Sequence, residues 1–465
     1  MMDGRTRKKP SAAGLGVLTA VLCCLGCRQP VSPSVPLEIP QQFSQSGTAP
    51  LPEKWWESFH DPLLTALIEE ALGNNFTIRS AWDRLRQAEE AAVQAGASLF
   101  PAVQYSGEAA RTRREVSNQT QYTSEYSVGL TASYEADLWG RVRSARQAAL
   151  LDAQAARDDL AAAAVSLSAA AAQTWYRLVE ARLQAALLKE QLRTNEKVLE
   201  IVRMQFGQGQ GTAADVLRQR QLVEATRGQL IEAEKSIVLF EYQLAVLLGR
   251  TPAQGLFAAE GSLPPLPPLP DVGLPAQTLT RRPDVASAYK AVLAADRRLA
   301  AAIADQYPKI TLGAAAQTSA ERVRDLFEDW LGRLAADAVG PLWDAGYRKA
   351  EVRKRKAVLS ERIHRYGQTL LTALQEVEEA LEENRSRQRL TENLRLQLDL
   401  ARQVRQTTES KYLQGQLDYL RVLESLLSEQ GLERQLLAAQ RAQLERRIDL
   451  CRAIAGPWTL DEPSQ

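Results

Sequence analysis

Between Tyr126 and Leu138 the chain reads YSVGLTASYEADL. Tyr126, Val128, Leu130, Ala132, Tyr134 and Ala136 fall on one side of an extended backbone, and Ser127, Gly129, Thr131, Ser133, Glu135 and Asp137 on the other. A period of two with one apolar and one polar side predicts a strand. Upstream, Val103 and Tyr105 alternate with Gln104 and Ser106 and begin a partner strand, and the polar stretch Arg111–Gln121 is expected as an exposed loop between the two. Ile310, Leu312, Ala314 and Ala316 repeat the pattern against Thr311, Gly313, Ala315 and Gln317, and a fourth strand is expected near 331–343. Strands of this length approach the ~9 to 11 residues of a tilted membrane strand. Alternation alone fits a half-buried sheet in a soluble domain equally well. Four strands cannot close a barrel, and an open edge in lipid leaves backbone groups unpaired at several kcal/mol each. In a membrane the chain must therefore be an oligomer, with two copies giving eight strands or three giving twelve.

The strands are flanked by long helical patterns. From Arg141 to Phe206 there is neither proline nor glycine, about 66 residues or ~99 Å of helix. A 4,3 seam runs through Leu160, Ala164, Leu167, Ala171, Thr174, Leu178, Ala181, Ala185, Leu188, Leu192, Asn195, Leu199, Val202 and Phe206. The returning helix carries its own seam through Val216, Gln219, Val223, Thr226, Leu230, Ala233, Ile237, Phe240, Leu244 and Leu247. Such seams are coiled-coil packing surfaces, and their alanines let helix axes approach closely. Gly207-Gln208-Gly209-Gln210-Gly211 is the turn between the two helices, and Gln414-Gly415-Gln416 is its counterpart later in the chain.

That counterpart is one landmark of an internal duplication. Ser80–Pro101 aligns with Ser287–Pro308, Leu138-Trp139 with Leu342-Trp343, Phe206 with Tyr412, Val216-Leu217 with Val422-Leu423, and Gly249 with Gly456. Each half reads as helices, two strands, a long helix, a turn and a returning helix. The expected division is a signal at 1–26, an extended arm at 27–54, a first repeat at 55–256 and a proline-rich linker at 257–277. A second repeat at 278–456 and a tail at 457–465 follow. Strands are placed near 102–112, 124–138, 309–318 and 331–343, and hairpins at 141–249 and 346–456.

Arg5, Arg7, Lys8 and Lys9 precede an apolar run from Ala12 to Leu25, the order of a secretory signal. The run is too short to span ~30 Å of hydrocarbon. It ends in Cys24-Leu25-Gly26-Cys27, which resembles the bacterial lipobox whose cleavage leaves Cys27 as a lipidated first residue, although Cys24 stands where leucine is usual. The alternative is an apolar cysteine discarded with the signal. Cys451 would then remain alone, so no disulfide framework is expected. With 57 Lys+Arg against 56 Asp+Glu there is no basic excess to attract nucleic acid. The two histidines, His60 and His364, lie near no second metal ligand or nucleophile in sequence, so neither an enzyme nor a cofactor other than the covalent lipid is expected.

Taken together, these parts resemble the TolC-type outer-membrane factors, in the lipoprotein branch of OprM and NodT. The resemblance rests on Trp55-Trp56 with Phe59 and Asp61, Phe100-Pro101, Asp137-Leu138-Trp139-Gly140-Arg141, Arg281-Arg282-Pro283-Asp284-Val285, and Tyr412 with Gly415, Tyr419-Leu420 and Val422-Leu423. Tyr289 and Pro341-Leu342-Trp343-Asp344 depart from the usual pattern. The resemblance implies an α plus membrane β-barrel fold: a homotrimer with a twelve-stranded barrel continued by a helical tunnel. It implies a passive efflux duct serving a periplasmic adaptor and an inner-membrane pump of RND type. By the same resemblance, adaptor contacts fall at Phe206, Gly209, Gly211, Asp215, Tyr412 and Gly415, and a periplasmic gate at Asp418, Tyr419 and Leu420. Two other readings compete, a lipid-anchored periplasmic coiled-coil scaffold and the exit duct of a type I secretion system.

Overall fold

A computed structural model describes residues 37–117, 119–253, 257, 262–458, 460 and 462. The expected signal, its lipobox and Cys27 lie outside the described residues, as does part of the linker. Two helices, α1 (Pro62–Asn74) and α2 (Phe76–Ala97), precede strands β1 (Ala102–Val116) and β2 (Gln119–Ala136). The long helix α3 (Arg141–Gly207) and its return α4 (Ala213–Leu247) complete the first half. The second half repeats the order with α5 (Pro275–Arg281), α6 (Pro283–Ala304), β3 (Lys309–Ala320), β4 (Leu331–Val339), α7 (Tyr347–Leu413) and α8 (Tyr419–Ile454).

The chain divides into two compact units. One holds Ala88–Ala153 and Lys290–His364, and with them a four-stranded antiparallel sheet in the order β1-β2-β3-β4. The halves of the chain meet at the central pair, where Leu130 lies opposite Ala316 and Tyr134 opposite Leu312. This register collects Val103, Tyr105, Val128, Leu130, Leu312 and Leu334 on one side, with Tyr105 and Leu334 each 88 % exposed. A sheet packed in a soluble domain would bury that side. Neither β1 nor β4 has a neighbour on its outer edge among the described residues.

The expected loop at Arg111–Gln121 is instead strand. β1 and β2 stay paired up to Val116 opposite Gln119, across a tight turn at Ser117, whose φ is 51°. Beyond Tyr126, which faces the last residue of β3, these two strands continue alone as a ribbon. Exposed on both sides, the ribbon packs neither face against a core, so the alternation that marks a strand in the sequence vanishes. β4 ends at Val339, short of the expected 343, because Pro341 has no N–H to continue a ladder.

Two aspartates start the long helices. Asp137 accepts from the Val142 and Arg143 amides at 3.0 and 2.8 Å, and Asp344 from those of Gly346 and Arg348 at 3.0 and 3.2 Å. These contacts satisfy amides that the first turn leaves free. Trp139 stacks on Tyr307 with centroids 5.0 Å apart and donates from Nε1 to the Pro308 carbonyl at 2.7 Å.

The other unit holds Pro36–Gln87, Gln154–Tyr289 and Arg365–Gln465. Its main core gathers Trp55, Trp56, Phe59, Leu64 and Ile68 against Leu160, Ala164, Ala171, Tyr176 and Leu178 of α3. Each large side chain buried there contributes about 1.5–3 kcal/mol. Asp61 caps α1 by accepting from Leu63 and Leu64 at 3.0 and 3.1 Å, and it also accepts from Trp175 Nε1 at 2.9 Å. The arm runs beside the linker, with Ala49 bridged to Pro270. The α3 seam is buried at every position except half-buried Leu192 and exposed Phe206. No helix among the described residues is long and apolar enough to cross a membrane.

Candidate functional site

The hairpin ends of this second unit form the candidate site. At one end α3 passes through Gly207–Gly211 into α4, whose start is fixed by Thr212 and Asp215. The Asp215 amide donates to Thr212 Oγ1 at 3.2 Å, and the Thr212 amide to Asp215 Oδ2 at 3.1 Å, a reciprocal capping box. At the other end α7 passes through Gly415 into α8. Here Asp418 is the cap, accepting from the Arg421 amide at 3.2 Å with its carboxylate exposed. Gly209 and Gly415 take φ of 77° and 74°, which glycine adopts without strain.

The expected site residues separate into two groups. Phe206, Gly209, Gly415 and Asp418 are exposed, and Gly211, Asp215, Tyr412 and Leu420 are exposed or partly so. Tyr419 differs, because it is buried against Val202 and Leu423 with Val198, Val216, Leu222 and Tyr412 around it. Its hydroxyl donates to Gln219 Oε1 at 2.5 Å, and the Tyr412 hydroxyl to Gln205 Oε1 at 2.6 Å. Burial holds the Tyr419 phenol well above its usual pKa, with the nearby Tyr412 and Asp215 adding to the shift. Within one chain Tyr419 therefore ties the second hairpin to the first.

Beneath the tips lies a polar layer to which the sequence reading assigned no role. Gln219 Nε2 donates to the Asn195 carbonyl at 2.7 Å, Asn195 Nδ2 to Thr226 Oγ1 at 3.0 Å, and Gln430 Nε2 to Asn195 Oδ1 at 2.9 Å. Asn195 and Gln219 are fully buried. The α3–α8 contact continues with Gln191 to Glu433 at 2.9 Å, Arg177 to Glu445 at 2.6 Å and Gln173 to Asp449 at 2.7 Å. On the second hairpin Arg405 bridges Glu429 and Glu409. The signal was present as polar interruptions at Asn195, Gln219 and Thr226 in mostly apolar seams. One polar residue in a seam typically fixes register and partner at some expense of stability.

The two halves, read separately, match one family description. "Outer membrane efflux protein" fits residues 67–250 and again 274–456. The chain belongs to the outer membrane efflux protein family. The pyoverdine export outer membrane protein OpmQ of Pseudomonas putida is 30 % identical, over 97 % of this chain and 99 % of its own length. The probable outer membrane lipoprotein SilC of Salmonella typhimurium is 26 % identical over 91 % of this chain and 94 % of its own. Among solved structures, CusC superposes with a TM-score of 0.82 at 25 % identity, covering 93 % of this chain and 99 % of that one. The open state of the MtrE channel of Neisseria gonorrhoeae superposes with 0.81 at 26 % identity, covering 93 % and 98 %. As a member of this family the protein is an outer-membrane efflux channel and not an enzyme, and the soluble-scaffold reading falls. The exposed apolar side of its sheet agrees with that membership.

Proposed function

We propose that three copies of this chain join their sheets into a twelve-stranded barrel and serve as the passive exit duct of a tripartite efflux system. The observation that supports this most strongly is the sheet itself, which has two open edges and an exposed apolar side in one chain. In lipid that arrangement is tolerable only once neighbouring copies pair the edges of β1 and β4. Named relatives act in pyoverdine export and toluene efflux, so the cargo proposed here is small molecules delivered by an inner-membrane pump of RND type. Cys27 would carry the lipid.

The hairpin ends would meet a periplasmic adaptor through Phe206, Gly209, Gly211, Asp215, Tyr412 and Gly415. Asp418, repeated once per copy, would place a ring of carboxylates at the mouth, with Leu420 beside it and Tyr419 holding the segment in place. Opening would move the second hairpin against the first. The α3–α8 contact is polar along much of its length, and water can replace its hydrogen bonds at little net expense, whereas the α3–α4 seam is mostly apolar outside the Asn195 layer. A partner drives this change only by binding the open arrangement more tightly.

The test is the particle mass of the detergent-purified full-length protein together with its conductance in planar bilayers. Three copies and a steady water-filled conductance are expected. Single subunits, or inserted trimers that pass no ions even with the tips loosened, overturn the reading.

A further inference from the structure

We propose that the β1–β2 ribbon carries a binding surface for the phosphate groups of anionic membrane lipids, formed by Arg111 and Arg113 on its lipid-facing side. The inference rests on the barrel reading above. Strand register fixes the side: Arg111 lies opposite Ser124 and Arg113 opposite Tyr122, in the same alternating row as Tyr105, Tyr126, Val128 and Leu130. Arg114, Glu108 and Glu125 belong to the other, polar row. The two arginines thus continue the side that must face lipid.

Their height follows from strand geometry. The apolar row on β2 runs from Tyr126 to Ala136, ten residue steps or ~33 Å along the strand, which a tilt of ~45° reduces to ~23 Å. That matches the ~25 Å apolar band of membrane barrels. Arg111 stands two steps beyond Tyr126 and Arg113 four, so they rise ~5 and ~10 Å above the rim after the same tilt. The headgroup layer extends ~5–7.5 Å beyond the core, since a ~30 Å core lies within a ~40–45 Å bilayer, so Arg111 stands inside it and Arg113 reaches down to it along its long side chain. The rim itself is aromatic. Tyr126 belongs to it, as does Trp330, whose ring lies over Gly332 of the same row, and Tyr122 stands above it, level with Arg113. Interfacial placement is where such rings are favoured.

The charges are available to a ligand. The Arg111 guanidinium sits 5.1 Å from the centroid of the Tyr122 ring, which holds it in place while leaving its in-plane N–H donors available to phosphate oxygens. Glu115 is the one acid in this row of the ribbon among the described residues, and it lies 3.9 Å from Arg113 with both side chains mostly exposed, a weak pair. The connection from Glu321 to Trp330 is acidic, with Glu321, Asp325, Glu328 and Asp329 against Arg322 and Arg324. It leaves the sheet at the level of Tyr126, below the arginines.

Native mass spectrometry of the full-length detergent-purified channel, with added lipid A, phosphatidylcholine or inorganic phosphate, tests the proposal. Lipid A should be retained in preference to phosphatidylcholine, and retention should fall with salt. Surface basic residues act at about fivefold each, so Arg111→Gln with Arg113→Gln should weaken lipid A binding about thirtyfold. Arg114→Gln, in the opposite row, should leave it unchanged. Equal binding by the double variant, an equal loss in Arg114→Gln, or displacement by inorganic phosphate at concentrations like those of lipid A overturns the proposal. Conductance of the double variant in planar bilayers verifies its fold. A wild-type protein that neither needs detergent nor conducts would sink the barrel reading instead.

Discussion

Asp418 has a local duty as a helix cap and, in the proposed trimer, a collective one at the mouth. It caps α8 through the Arg421 amide, and in a trimer its exposed charge would recur around the mouth. Asp418→Ala removes both and should lower stability by about 1 kcal/mol through the lost cap. Asp418→Ser keeps a capping oxygen and removes only the charge. If the charge governs closure, both variants raise single-channel conductance; a rise in the alanine variant alone would assign the effect to the cap. Tyr419 gives a pH signature. Its buried phenol titrates above the ordinary value of ~10, so an unfolded chain releases the proton first as pH rises. The tip is therefore at full stability below pH ~10 and loses it progressively above, as far as the raised native value. Tyr419→Phe should flatten that alkaline decline in hydrogen exchange at the start of α8, at the expense of about 1 kcal/mol for the missing bond to Gln219. An unchanged slope would place the titration elsewhere, with Tyr412, whose phenol pKa is also raised by burial, the next candidate.

At the scale of elements, helix ends carry more of the specification than helix middles. α4 stops at Gly249, whose φ is 71° and whose absent Cβ would stand 2.5 Å from the Asn74 carbonyl at the end of α1. Gly249→Ala therefore meets a left-handed backbone penalty of about 1–2 kcal/mol together with a backbone clash. Gly209, with φ of 77°, has no neighbour within 4 Å, so Gly209→Ala should show the backbone penalty alone. Thermal unfolding of the two variants should rank Gly249→Ala clearly below Gly209→Ala, and equal midpoints would show that α1 yields. Residues Trp55-Trp56, Phe59 and Asp61, quoted above for family resemblance, gain a physical role from the same view. The aromatics fill the main core, and Asp61 joins the cap of α1 to Trp175 on α3.

For the whole molecule the decisive property is an exposed apolar sheet whose edges are unpaired among the described residues. Membrane retention should then reside in the sheet and not in the lipid alone. Cys27→Ser, which abolishes any lipid attachment at that residue, should leave the protein in the outer-membrane fraction and dependent on detergent. Release into the soluble fraction would mean that the lipid is the anchor. Each strand row serves a separate environment, apolar residues outward and Gln104, Thr131, Glu135 and Gln317 on the other side. Charge substitutions should consequently be costly in the first row, about 2–4 kcal/mol for Arg at mid-depth, and mild in the second. Leu130→Arg against Thr131→Arg, compared by the yield of assembled protein, is the corresponding measurement.

Local patterns were enough to reveal the apolar row of Tyr126–Ala136, the proline-free helices, the repeat and the glycine turns, because a period, a breaker or a cap is written in neighbouring residues. The ribbon beyond Tyr126 escaped that reading, since a strand that packs against no core needs no alternation. The polar layer around Asn195 escaped it too. Asn195, Gln219, Thr226 and Gln430 look like solvated interruptions until three helices, α3, α4 and α8, bring them within hydrogen-bond distance. Pairing β2 with β3 is a contact between residues nearly two hundred positions apart, and no local propensity encodes it. Sequence alone thus determined which segments become helix or strand and which face of each is apolar. Only the folded chain decided which buried polar groups find partners, because that depends on distances no single segment contains.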